Sequence, residues 1–338
     1  MDRRFDSHLQ TVCAAYGIVP SVTPRVLRGG YVAYVHRIDA TDGNAYFAKT
    51  YDDARPITAM ILPTLNDLSC ATRWLITQPG VHGRIVAPLL THEGNILVRD
   101  GPFTTVLFPF VDGVTPREQP LTAVQLGHLV DTIAAVHHIN TQHVAVERVP
   151  RERFRPKWLE DIEPALTRIC QVSHPLHTLL AGRVASIRFT FCVFRRLAAE
   201  LAVQVHPLVV CHTDIHGYNV VIRDDIPLLI DWEGMTIAPP EHDLMFWIND
   251  DAWSQVWQRY RQAHPAAVID PFRLRFYQLR RLFEDIIQDI QRVENEQPDV
   301  ASMAELIESI GSISAELSTD WGHDDAYRER KSNDQSAC

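Results

Sequence analysis

The sequence predicts an α+β chain of two lobes, the first rich in strands and the second in helices. Three observations lead there. Short apolar runs broken by turn residues fill the stretch from about residue 31 to residue 110 and read as strands. After Phe110-Val111-Asp112-Gly113 the apolar residues recur at helical spacing instead. A length of 338 residues is enough for two bodies of ordinary size.

The elements follow in order. YVAYVHRI (31–38) and NAYFAKT (44–50) are strands joined by a turn containing Asp42-Gly43. RIVAPLL (84–90), NILVR (95–99) and TTVLFPF (104–110) are expected as further strands, with Thr91-His92-Glu93-Gly94 turning between the first two. A helix is expected over part of 64–78, with Pro63 outside it and Thr64 as its cap. In LTAVQLGHLVDTIAAVHHI (121–139), Leu126, Leu129, Val130, Ile133 and Val136 fall on one helical stripe. More helices are expected near 185–204, 241–249, 271–294 and 300–317. The expected boundaries are an N-terminal lobe over 1–107, a hinge over 108–113, a helical lobe over 114–319, and a polar, frayed tail over 320–338.

Composition narrows the function classes. Apolar residues make up 46 % and charged residues 22 %, a soluble balance. No run approaches the roughly 18 apolar residues of a membrane span, and MDRRFDSHLQTVCAAYG lacks a signal peptide's unbroken apolar region. A cytoplasmic location is therefore expected. The six cysteines form no C-x-x-C pair, so they are expected to be reduced and mostly buried. A net charge of -10 without a basic stripe argues against nucleic acid as a partner. It is compatible with a small cationic substrate.

The chemistry concentrates in CHTDIHGYNVVIRDDIPLLIDWEG (211–234). Leu208-Val209-Val210 leads into it as a buried strand, and VVIR and LLIDW read as a hairpin turning at Arg223-Asp224-Asp225. Such a hairpin returns the chain from Asn219 to Asp231, with Asp214 in the loop just before. Two carboxylates and an amide oxygen at one rim suit Mg²⁺, a hard cation that takes oxygen ligands. If Asn219 and Asp231 hold the metal, Asp214 is left to receive a hydroxyl proton, which is the division of labour in phosphoryl transfer.

H-T-D-I-H-G-Y-N resembles the H-x-D-x-x-x-x-N catalytic loop of kinases, with I-D-W-E in place of D-F-G. His212 and the I-D-W pattern resemble the aminoglycoside phosphotransferase and choline kinase group. CHTDIHGYNVVI, IDWEGMTIAPPEHDLMF, RPKW (155–158) and FEDI (283–286) resemble its spectinomycin phosphotransferase branch. The resemblance implies a two-lobed, protein-kinase-like fold using ATP, with GTP left open, and Mg²⁺. It implies Asp214 as the base, Asn219 and Asp231 as metal ligands, His212 as a support and Asp243 as a brace for the loop. Lys49 and the glycines Gly29 and Gly30 would meet the phosphates, and the connector carrying Phe108 and Phe110 would hold adenine. Glu284, Asp285 and Asp289 lie on one candidate helix and read either as a solvated acidic face or as an acidic wall for a cationic acceptor, spectinomycin being the first choice. A sugar or amino alcohol is the metabolic alternative.

Two features depart from the kinase pattern. No glutamate follows Lys49 until Glu93, leaving Asp52, Asp53 and Asp67 as candidates for its acidic partner. Arg28-Gly29-Gly30 is no G-x-G-x-x-G loop. These departures motivate a nucleotide-binding pseudokinase as a non-enzymatic reading. His212, Asp214 and His216 also spell H-x-D-x-H, the pattern of a metallohydrolase. His137-His138, closing a long helix, are expected to be structural, and oligomeric state is not legible.

Overall fold

A computed structural model describes residues 3–27, 32–169, 184–248 and 250–295. Gly29, Gly30, Cys170, the expected helix over 300–317 and the tail from Asp320 lie outside the described residues. The chain divides into two compact units, Met1–Glu152 with His206–Val268, and Arg153–Val205 with Ile269–Cys338. In chain order the described α-helices are α1 (Arg3–Tyr16), α2 (Leu62–Leu75), α3 (Ala123–His137), α4 (Ile162–Ile169), α5 (Val184–Leu201), α6 (Glu241–Leu244), α7 (Trp253–Ala263) and α8 (Pro271–Asn295). The strands are β1 (Arg25–Val26), β2 (Tyr34–Asp39), β3 (Ala45–Asp52), β4 (Leu97–Asp100), β5 (Phe103–Pro109), β6 (Val209–Cys211), β7 (Val220–Arg223), β8 (Ile226–Leu229) and β9 (Thr236–Ala238).

The first unit is built on an antiparallel sheet of order β1-β2-β3-β5-β4. Lys49 pairs in register with Val35 of β2 and Val106 of β5, which fixes it mid-sheet. Strand residues alternate faces, so the sheet has two different sides. Ala48 and Leu107 share a core with Ile38, Cys13 and Ile18, while Phe5 and Leu9 of α1 pack with Phe103. On this side His8 Nε2 and Thr50 Oγ1 each lie 2.7 Å from Thr105 Oγ1. Tyr51 and Val106 pack on the other side, with Leu65 of α2. Lys49 and Tyr51, two residues apart on β3, share that second face.

Helix α1 was not foreseen. Its charges mask a stripe of Phe5, Leu9, Val12 and Cys13, all buried, at the spacing of one helical face. Helices α4 and α7 were also unread. RIVAPLL is no strand, although Ile85 makes one isolated bridge to Leu229. Its Val86 N–H donates to Leu229 and its Leu89 N–H to Leu107, so successive amides bind different elements, and Pro88 has no N–H to give. Pro63 lies inside α2, in the first turn, where an N–H has no helical partner in any case. Thr64 does not cap that helix; its hydroxyl donates back to the Ile61 carbonyl. The helix expected over 241–249 is only the four residues of α6. Of the described cysteines, Cys13 and Cys211 are buried whereas Cys70 and Cys192 are exposed, and all four are free.

Helix α3 starts with a capping box, in which Thr122 and Gln125 satisfy each other's backbone amides. Its stripe of Leu126, Leu129, Val130, Ile133 and Val136 is fully buried. The β7–β8 hairpin turns on Asp224 and Asp225, both at positive φ (51° and 61°), as a two-residue turn twisted with the strands requires. In the second unit, Trp158 stacks on Phe194 at 5.5 Å and Phe194 on Phe276 at 5.1 Å, giving it an aromatic core. No described helix is long and apolar enough to cross a membrane.

His36 is buried with neither ring nitrogen hydrogen-bonded. Burial lowers its pKa, and that of His8, below the ordinary value. The unfolded chain therefore binds these protons first, so stability is full above about pH 6.5 and falls as pH drops below it. Melting curves between about pH 7.5 and 5.5 should show a shallower decline for His36→Leu than for the parent. Parallel declines would contradict this role for burial.

Candidate active site

Strand β6 ends at Cys211 and β7 begins at Val220, so residues 212–219 form the loop between them. Asp243 of α6 sits beneath it, buried to 1 % exposure. Its carboxylate accepts from the His212 N–H at 2.9 Å and the Thr213 N–H at 2.6 Å. The third donor is His137 Nε2 at 3.0 Å, whose other ring nitrogen accepts from the Tyr260 hydroxyl at 2.8 Å. Burial alone would push the Asp243 carboxyl up, but these donors outweigh it and hold it below the usual carboxylate range. The anchored turn is strained, since Thr213 has φ 78°. Its hydroxyl closes the turn by donating to Gly234 O at 3.0 Å.

The loop's histidines are fixed in orientation. His212 Nδ1 accepts from the Asp214 N–H at 3.3 Å, so Nε2 carries the proton and donates to Ile230 O at 2.8 Å. His216 Nδ1 likewise accepts from the Tyr218 N–H at 3.1 Å, leaving its Nε2–H 3.3 Å from Asp214 Oδ2. Both nitrogens of His212 are thus consumed, one by the loop and one by the Ile230 carbonyl, against an H-x-D-x-H metal cluster. Asn219 Nδ2 donates to both the backbone oxygen and Oδ2 of Asp214, each at 2.9 Å. Those acceptors fix which way the amide faces.

Across the hairpin, the Ile230 N–H donates to Asn219 O at 3.0 Å, which sets Asp231 one residue beyond. Asp231 takes a left-handed conformation, φ 65° and ψ 65°. The chain then turns through Trp232–Gly234, and Trp232 packs edge-on against the His212 ring at 4.6 Å. Lys49 Nζ lies 2.9 Å from Asp231 Oδ1 and 2.6 Å from Glu233 Oε1. The Tyr51 hydroxyl donates to the same Glu233 carboxylate. Burial opposes the charge on Lys49, but the two carboxylates raise its pKa, so it stays an ammonium. Burial also raises Glu233, against the pull of Lys49.

A lysine on a sheet, an Asp-Asn loop braced by a buried carboxylate, and an Asp closing a hairpin are the parts of a phosphoryl-transfer site. The model of the phosphotransferase enzyme family, which includes the aminoglycoside phosphotransferases, matches residues 86–277. The chain belongs to this family. Protein StrN of Streptomyces griseus is 29 % identical over 217 residues, 61 % of this chain and 63 % of StrN's length. Among solved structures, spectinomycin phosphotransferase in complex with ADP and spectinomycin has a TM-score of 0.71 at 20 % identity, covering 90 % of this chain and 93 % of that one. A microcompartment-associated aminopropanol kinase has a TM-score of 0.61 at 14 % identity, covering 92 % and 96 %. These likenesses give the chain its kinase-like α+β fold.

The remaining expected residues of this phosphotransferase-family chain are less converged. Phe108 packs beside the core under α2. The Phe110 N–H donates to Ala45 O at 2.9 Å, and its ring carries the Arg37 guanidinium at 4.2 Å. That amide is therefore already bonded to β3. In the second unit, Glu284 accepts from Arg280 at 2.8 Å and from Trp158 Nε1 at 3.1 Å, and Asp285 accepts from Arg281 at 3.1 Å. Arginines one turn earlier thus neutralise these acids, and they do not form a bare acidic wall. Asp289 follows one turn on, its side chain outside the described residues.

The candidates for the partner of Lys49 lie elsewhere. Asp67 faces Arg148 at 3.4 Å, Asp52 accepts the Ala54 amide at 2.9 Å, and Asp53 is exposed. Sequence reasoning missed Glu233, Tyr51, His137 and Tyr260 as parts of the site. Glu233 stood within the quoted I-D-W-E, but over 180 residues of chain separate it from Lys49. Among the described residues, His137, Cys211 and Asp243 are also close enough to share a cation. The Asp243 oxygens are already filled by three N–H donors, so this trio is a brace.

Removing the Asp243 carboxylate leaves those three donors facing an apolar void. Asp243→Ala should cost about 3–5 kcal/mol of stability, the usual loss when one partner of a buried charged network goes. Denaturant unfolding measures it. A loss under about 1 kcal/mol would show that the carboxylate does not anchor the loop.

Proposed function

We propose that this chain is an ATP-dependent O-phosphotransferase whose acceptor is a small hydroxyl compound bearing amines, an aminocyclitol or aminoglycoside. The observation that carries the reading is the position of Asp214. Its carboxylate is about one third exposed, while its backbone is held by Asn219 and by the braced turn below. A group so held can align a hydroxyl and still reach it.

In this reading the acceptor oxygen attacks the γ-phosphorus of ATP, the bond to the β-phosphate oxygen breaks, and ADP leaves. The hydroxyl proton passes to Asp214. Alignment of the hydroxyl and late proton acceptance are its contributions. Lys49 holds phosphate oxygens by charge, leaving Asp231 to the metal. The residues present fit Mg²⁺: Asp231 offers a partly exposed carboxylate, and the Asn219 amide is oriented with its oxygen free of the bonds its nitrogen makes. When bound, Mg²⁺ would withdraw charge from the phosphate oxygens. The braced loop keeps Asp214 and Asn219 in fixed register, so little reorganisation accompanies transfer.

Support for an aminated acceptor comes from the family and from the bound spectinomycin of the fold neighbour. The aminopropanol kinase shares the fold as well, which keeps an amino alcohol as the second reading.

An ATP-consumption screen of the purified protein against spectinomycin, other aminocyclitols, aminoglycosides, amino alcohols and sugars tests the reading. Consumption with an aminated polyol is expected, highest with spectinomycin. Asp214→Asn should fold normally, bind nucleotide and lose about 10²–10⁴ in turnover. Near-normal turnover in that variant would overturn the role of Asp214. Activity confined to neutral sugars would overturn the acceptor class.

A further inference from the structure

We infer that Glu233, held by Tyr51, is the acid that positions Lys49 on the nucleotide, in place of the helix glutamate that kinases use. The inference rests on the phosphotransferase reading and adds two positioning residues to it. Elimination and contact support it together. Helix α2 follows the Lys49 strand, and its sole acid, Asp67, pairs with Arg148 on the surface. What α2 packs against is the turn Trp232–Gly234. That turn delivers the missing carboxylate, 2.6 Å from Nζ.

The geometry divides the labour of the two acids around Lys49. The left-handed backbone at Asp231 lets residues 231 and 233 both face the ammonium while Trp232 turns toward His212. The Asp231 side chain is 36 % exposed, whereas that of Glu233 is 14 % exposed, beside the 11 % of Lys49. The exposed acid can turn to a cation without leaving the ammonium bare, because the buried one stays. Tyr51 supplies the anchor. It lies on the same face of β3 as Lys49, is fully buried, and spends its hydroxyl on Glu233. Tyr51, Glu233 and Lys49 therefore form one chain from the sheet to the phosphate position.

A mutant cycle on nucleotide affinity separates this role from plain support of the fold. Binding of a non-hydrolysable ATP analogue with excess Mg²⁺ is measured by calorimetry for the parent, Glu233→Gln, Lys49→Ala and the double variant, with Tyr51→Phe as a milder probe. Melting temperatures are recorded alongside. Glu233→Gln should weaken binding about tenfold when Lys49 is present and less than twofold when Lys49 is alanine. Tyr51→Phe should weaken it severalfold with the same dependence on Lys49. Equal losses in both lysine backgrounds would overturn the inference, since Glu233 would then act without Lys49. So would a Glu233→Gln shift in Mg²⁺ requirement that persists in Lys49→Ala, because it would make Glu233 a metal ligand. A parent that binds no nucleotide would overturn the phosphotransferase reading and this inference with it. A parent that binds, with Glu233→Gln indistinguishable from it, would overturn the inference alone.

Discussion

A carboxylate buried as deeply as Asp243 must be paired, and the pairing it finds dictates the candidate site. Its donors are two consecutive loop amides and one imidazole, contributed by two distant stretches of chain. Charge-assisted bonds of this kind are stronger than neutral ones and tolerate little displacement. The strained turn at Thr213 persists because this network outweighs its cost. Everything that follows in the loop, including the place of Asp214 and Asn219, takes its position from that anchor. The Tyr260 hydroxyl behind His137 extends the network into α7, so the helical packing is coupled to the loop.

The second constraint is a buried cation. Lys49 sits in the middle of an antiparallel sheet, with its side chain only 11 % exposed. A lone ammonium there would lose its proton or disrupt the fold. Two carboxylates from the hairpin end keep it charged, which ties the sheet to the segment carrying Asp231. The two acids differ in exposure, Asp231 being the more open. The same pairing explains why no acid is needed on α2.

Much of this was legible because local chemistry and local sequence coincide. The hairpin from Asn219 to Asp231 is written in two apolar runs and an Asp-Asp turn, and both turn residues adopt the positive φ such a turn demands. The stripe of α3 is equally local. What stayed hidden depends on contacts across long chain separations. Glu233 and Tyr51 meet over a gap that no spacing rule spans, and His137 reaches Asp243 from the far end of α3. Helix α1 was hidden differently. Its charged surface residues lowered the apparent hydrophobicity of a segment whose buried face carries only four apolar residues. RIVAPLL misled in the opposite direction, since apolar composition alone cannot tell a strand from a buried connector.

The proposed function depends on Asp231 being the acid that takes the metal while Lys49 remains held. The direct measurement is Mg²⁺-dependent binding of ADP, followed by calorimetry in the parent and in Asp231→Asn, with and without a chelator. The account predicts that Mg²⁺ strengthens ADP binding in the parent and that the chelator abolishes the gain. In Asp231→Asn the gain should be absent although the protein melts as a folded chain. A variant in which Mg²⁺ strengthens ADP binding as much as in the parent would contradict it.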